Sequence, residues 1–166
     1  LCLDYLLTGE IKHHTIDMYL GPKFSEGEIA AILVECEISY RKPECIEAET
    51  AKLLSKGMVV GWFQGAMEAG PRALGARSIL ADPRRIESLE KVNKIIKYRE
   101  SWRPFCPSMT ADDAKKYLET QKLDKYMIFT FKATELAKKE VPAVVHVDDT
   151  ARAQIVYEQD NPRYYR

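Results

Sequence analysis

With 166 residues, 46% of them hydrophobic, the chain has the size and composition of one globular domain with a sizeable core. Its 25 Lys/Arg balance 25 Asp/Glu, which argues against a general nucleic-acid binder, and no apolar run approaches the ~20 residues that span a bilayer as a helix. Cysteines at positions 2, 36, 45 and 106 form no Cys-x-x-Cys pair, so reduced thiols in a cytoplasmic protein are expected rather than disulfides or a thiolate metal site.

Residues 1–20 give an apolar start and the pair His13-His14, whose side chains diverge on a helix or a strand; surface placement is expected, not a shared metal. Ser25-Glu26-Gly27-Glu28 reads as a capping box, in which Ser25 and Glu28 each satisfy an amide that the first helical turn leaves open; a helix is expected to about Cys36. A polar helix follows over 47–56, closed by Gly57. The short apolar run 58–63 suits a buried strand. Asp82-Pro83 offers an N-cap and a first-turn proline. Ile86, Leu89, Val92 and Ile96 then recur at helical spacing, with Lys97 in the last turn. Residues 105–109 should be extended around their prolines, and Thr110 should cap a helix to about Leu118. The runs 127–132, 143–147 and 154–157 read as strands, which makes the class mixed α/β.

The chemistry concentrates between Arg72 and Pro104, where nine Lys/Arg face four Asp/Glu, about +5 in a chain of net charge +0. An excess that local fits a small polyanion, and arginine is the side chain whose planar fork meets phosphate bidentately. Gly70 and Gly75 bracket Pro71-Arg72, and Pro104 and Pro107 follow Arg103, so these cations sit on loops that proline stiffens and glycine lets approach a ligand. Arg72, Lys97 and Arg103 are the candidates, with a nucleotide or an acyl phosphate as ligand. The plainer alternative is a solvated helical face with structural ion pairs. There is no Gly-x-x-x-x-Gly-Lys-Ser/Thr loop, no His-Glu-x-x-His and no Gly-x-Ser-x-Gly. On a strand, His146 and Asp148 would share a face and Asp149 would oppose it, too few ligands for a metal. What remains is electrostatic stabilisation of phosphate charge, with no catalytic residue assigned.

The run from Gly61 to Ser108 resembles the C-terminal domain of the NodU-type O-carbamoyltransferases. It carries Gly70-Pro71-Arg72-Ala73-Leu74-Gly75, Arg77 to Arg84, Asn93, Ile96-Lys97, Arg99-Glu100, Arg103-Pro104-Phe105 and Pro107-Ser108. Tyr19-Leu20-Gly21-Pro22 and the run from His146 to Gln154 also look like family segments. The departures are Ala69 for Phe, Ala76 for Asn, Trp102 for Phe, Cys106 for Ala and Asp149 for Gly; the last sets a carboxylate beside Arg152. The resemblance implies a YrdC-like α/β domain over 19–166, a twisted mixed sheet flanked by helices with a concave basic face. Residues 1–18 would be the tail or linker of a preceding domain, and the domain would be truncated at its C-terminal end. It further implies ATP and carbamoyl phosphate as substrates, converted to carbamoyl adenylate. A metal-containing N-terminal domain of the same chain would be the partner that passes the carbamoyl group to a hydroxyl acceptor. Arg72, Lys97, Arg103 and Arg152 would bind the substrates, Arg152 on the strength of the resemblance alone. Two alternatives stay open: a threonylcarbamoyl-adenylate-type enzyme or RNA-binding YrdC relative, and a non-catalytic interaction domain.

Overall fold

The computed structural model describes residues 2–10, 17–120 and 122–166. The His13-His14 pair lies outside them. After helix α1 (Cys2–Thr8) the chain reaches α2 (Glu26–Glu35), which opens on the capping box read from the sequence. Glu28 N donates to Ser25 Oγ at 3.2 Å and Ser25 N donates to Glu28 Oε2 at 2.8 Å. Helix α3 (Ile46–Ser55) follows, and Gly57 ends it with φ +78°.

Strand β1 (Val60–Phe63) pairs antiparallel with β2 (Arg77–Leu80), Phe63 opposite Arg77 and Val60 opposite Leu80. The run 58–63 is therefore not the buried strand its apolarity suggests. Only Trp62 is buried, while Met58 and Phe63 are exposed, because a two-stranded ribbon leaves one face open. Helix α4 (Ile86–Lys91) has Arg85, not Asp82, as its N-cap. The Asp82 carboxylate is taken by the Arg84 amide at 3.0 Å and by the Arg84 guanidinium at 2.7 Å, which makes a turn ahead of the helix. The expected single stripe also breaks: a π-helical turn, Val92–Ile96, follows α4. Val92 stays buried, Ile86 and Ile96 are exposed, and the widened turn places Asn93 in the interior at 0% exposure.

Strand β3 (Ser108–Met109) leads into α5 (Ala111–Tyr117), capped by Thr110 as expected, with Asp113 N donating to its hydroxyl at 3.2 Å. Of the run 127–132 only β4 (Phe131–Lys132) is strand, since Met127 turns the chain at φ +55°. Helix α6 (Glu135–Glu140), capped by Thr134, runs into a 3₁₀ turn, Pro142–Val144. That turn replaces the expected strand 143–147: Pro142 fixes a helical φ and has no amide for a ladder. Then come β5 (Thr150–Ala151), β6 (Gln154–Ile155) and α7 (Pro162–Tyr165). Among the described residues the strands form three two-stranded sheets, β1–β2 and β4–β5 antiparallel and β3–β6 parallel, so the class is mixed α/β. Ala114, Leu118, Ala151, Ala153 and Ile155 form a buried cluster, with Phe131 and Tyr157 packed against it. Among the described residues no helix is long and apolar enough to cross a membrane.

Candidate anion-binding cavity

The connection from β1 to β2 is the glycine- and proline-rich loop that carries Arg72. Gly75 has φ +99°, and a Cβ there would lie 2.3 Å from the Tyr164 ring, so the position needs glycine on two counts. The Gly75 carbonyl accepts from Trp62 Nε1 at 2.9 Å and from Gln64 Nε2 at 3.0 Å, which ties the loop to β1. Arg72 is half-buried, and its Nε donates to the Met127 carbonyl at 3.0 Å.

Asn93 organises the second cationic segment. Its Nδ2 donates to the carbonyls of Ser101, at 3.3 Å, and Arg103, at 2.9 Å, while its Oδ1 accepts from Arg99 Nε at 2.7 Å. Residues 97–103 are thus clasped to a side chain in the core. The Arg99 guanidinium lies 4.5 Å from the centroid of the Phe105 ring; burial, and then the neighbouring charge of Arg103, lower its pKa. Arg152 Nε donates to Cys106 Sγ at 3.1 Å, so the cysteine that stands where the resembled pattern has alanine becomes a partner of this arginine.

These segments line one cavity of about 740 Å³, open to solvent, with Arg72, Lys97, Arg99 and Arg152 among its walls. Arg103 does not line it; it is exposed and pairs with Glu100 at 3.7 Å. Of the four residues proposed from sequence, the fold therefore brings three together. Arg99 joins them, and its signal was available: it lies two residues from Lys97 and just before a Glu-x-x-Arg pair that can neutralise itself. Arg163 and Arg166 also line the cavity, but Glu47 holds them at 3.6 and 3.3 Å. Asp82 is likewise engaged by Arg84, whose hydrogen bonds hold its carboxyl below the usual range. Among the described residues, Arg72, Lys97, Arg99 and Arg152 make no ion pair.

Ahead of β5, residues 146–149 turn instead of running as a strand. Asp149 N donates to the His146 carbonyl at 3.0 Å and His146 N to the Thr150 carbonyl at 2.8 Å, with Asp149 at φ +63°. Strand alternation therefore does not govern His146 and Asp148. The Asp149 carboxylate is held by Lys138 Nζ at 2.7 Å, and with Glu135 it raises the Lys138 ammonium to about 12. The negative charge set beside Arg152 by sequence is thus paired elsewhere.

Residues 51–166 match the family described as the carbamoyltransferase C-terminus. The chain is 37% identical to the nodulation protein NolO of Bradyrhizobium diazoefficiens, over 90% of the chain and 28% of that protein. It is 38% identical to the 3'-hydroxymethylcephem-O-carbamoyltransferase of Amycolatopsis lactamdurans, over 71% of the chain and 22% of the enzyme. An uncharacterized protein of Synechocystis is 39% identical, over 89% of the chain and 28% of that protein. The chain spans about a quarter of the length of these relatives. With the family matched over most of its length, the chain belongs to the carbamoyltransferase C-terminal domains.

Proposed function

We propose that this chain is the substrate-activating part of an O-carbamoyltransferase, binding ATP and carbamoyl phosphate in the cavity and forming carbamoyl adenylate. The observation that carries the reading is a set of four cations, Arg72, Lys97, Arg99 and Arg152, lining one cavity without a carboxylate partner. Cations brought together and left unpaired repel one another, and a polyanionic ligand removes that cost. Arg103, on the same clasped loop, would join them on binding by exchanging its exposed pair with Glu100 for a phosphate. In the reaction water releases inorganic phosphate from carbamoyl phosphate, and an oxygen of the resulting carbamate bonds to the α-phosphorus of ATP as pyrophosphate leaves. The guanidinium and ammonium groups neutralise charge on the phosphate oxygens and hold the substrates in register. In this proposal residues 19–166 form a YrdC-like domain with a concave basic face. Residues 1–18 lead from an N-terminal, metal-bearing region that transfers the carbamoyl group to a hydroxyl.

The test is ATP–pyrophosphate exchange by the full-length protein, with and without carbamoyl phosphate, beside ATP binding by Arg72→Ala and Lys97→Ala. Each variant should weaken binding by roughly 1.5–3 kcal/mol, the value of a hydrogen bond to a charged group. Exchange that ignores carbamoyl phosphate, or ATP affinity unchanged in both variants, would sink the assignment.

A further inference from the structure

Two buried carboxylates stand behind Arg72, and neither lines the cavity. The Glu68 side chain has 0% exposure. Its Oε1 accepts from the amides of Leu74 at 2.6 Å, Ala76 at 2.7 Å and Arg77 at 3.4 Å. Its Oε2 accepts no hydrogen bond and lies 3.4 Å from Arg77 Nε. Arg77 in turn donates through Nη2 to the Gly70 carbonyl at 2.8 Å. One carboxylate thus gathers the far end of the 68–77 loop, and Arg77 closes it over the near end. Asp124 does the same for the facing turn. It accepts from the amides of Tyr126 at 2.8 Å, Phe129 at 2.9 Å and Ile128, and so bends the chain at Met127, whose carbonyl receives Arg72 Nε.

Enclosing a carboxylate is costly, and amide donors are what make it tolerable. Here the donors come from the two segments between which Arg72 is held. We infer that Glu68 and Asp124 are positioning residues that fix the Arg72 guanidinium from its two sides, so that the cavity's affinity for its anion depends on two anionic groups that never touch it. The inference rests on the cavity being the phosphate site proposed above.

The sign of the effect separates positioning from electrostatics. By charge alone, Glu68→Gln or Asp124→Asn removes a negative group near an anion site and tightens binding. By positioning, each loosens a loop, lets Arg72 wander and weakens binding, by roughly tenfold, the lower end of what losing an outer partner costs a binding site. ATP and, separately, carbamoyl phosphate are titrated by calorimetry into the full-length protein and into Glu68→Gln, Asp124→Asn and Arg72→Ala. Each carboxylate variant is also built in the Arg72→Ala background, and circular dichroism monitors folding. The expected result is roughly tenfold weaker binding of whichever ligand Arg72→Ala weakens, and no further loss in the double variants. Unchanged or tighter binding in the carboxylate variants, with Arg72→Ala impaired, overturns the positioning role and leaves the phosphate site standing. Losses that persist in the Arg72→Ala background overturn it too, because they show general loosening. Arg72→Ala without effect on either ligand overturns both. Asp124→Asn decides the matter if Glu68→Gln does not fold, and Glu68→Gln does so in the converse case.

Discussion

Replacing Gly75 by alanine puts one methyl group where the loop, β1 and α7 converge. Its Cβ would fall 2.3, 2.6 and 2.8 Å from Cδ1, Cγ and Cε1 of Tyr164. Since carbon atoms settle at about 3.5–4.0 Å, the ring must retreat by about 1 Å or the loop must shift. The ring is tethered where it stands. It packs 6.5 Å from Trp62, and its hydroxyl donates to Ser108 Oγ, which donates to Gln154 Oε1. Overpacking of this kind costs about 1–3 kcal/mol. Holding a non-glycine residue at φ +99° costs about 1–3 kcal/mol more. Gly75→Ala should therefore lose about 2–6 kcal/mol, a large part of the 5–15 kcal/mol typical of a domain. Urea denaturation of Gly75→Ala, Tyr164→Ala and the double variant apportions the loss. With the ring gone, the alanine should cost only its backbone share, about 1–3 kcal/mol. A Gly75→Ala protein within about 0.5 kcal/mol of the parent, or an equal loss with and without the ring, would refute the reasoning.

Thr110→Ala removes the hydroxyl that caps α5 and should cost about 1 kcal/mol in urea denaturation, whereas a loss below about 0.3 kcal/mol would mean the cap is replaceable. His146 has its pKa lowered, chiefly by burial, against the opposing charge of Asp148 and with that of Arg152. The unfolded chain therefore takes up this proton first, near the ordinary value of about 6.5, and stability falls as pH drops from there toward the folded pKa. His146→Asn should flatten the fall in stability as pH drops below about 6.5, and an unchanged slope would rule the residue out. At Asp149, φ +63° favours glycine, while the carboxylate pairs with a part-exposed Lys138. Asp149→Gly should be near neutral, whereas Asp149→Ala keeps the strain and loses the pair, so it should be about 1 kcal/mol less stable than the glycine variant by thermal melts.

The elements that were legible in sequence are those whose cause is local. A capping box spans four residues, and Ser25 with Glu28 forms it whatever the rest of the chain does; Thr110 caps α5 for the same reason. Asp82-Pro83 carries an equally local signal but fails because a nearer competitor, the amide and guanidinium of Arg84, reaches the carboxylate first. The strands were harder. Apolar content marked 58–63 and 143–147 as strands, yet burial depends on how many neighbours a strand has, and one antiparallel partner leaves Phe63 exposed. Strand β2 gives little signal of its own, since Arg77 to Leu80 holds only two apolar residues beside the cationic loop, and β4 and β5 are only two residues each.

The site divides along the same line. A cluster of nine cations in a neutral chain is visible without any structure, as is the glycine and proline company that stiffens it. Which cations stay free is not, because neutralisation is decided by distance in space. Glu47 meets Arg163 and Arg166 across more than a hundred residues, and Asp149 leaves Arg152 for Lys138 because the turn at φ +63° carries its carboxylate away. Arg99 and Arg103, four residues apart, part company for a reason no composition shows. Asn93, buried by the π-helical turn, binds the guanidinium of one and only the backbone carbonyl of the other. The unpaired set therefore depends as much on one enclosed amide as on the charges themselves. Loss of that amide should release Arg99 and the carbonyls of Ser101 and Arg103 at once, although Asn93 carries no charge.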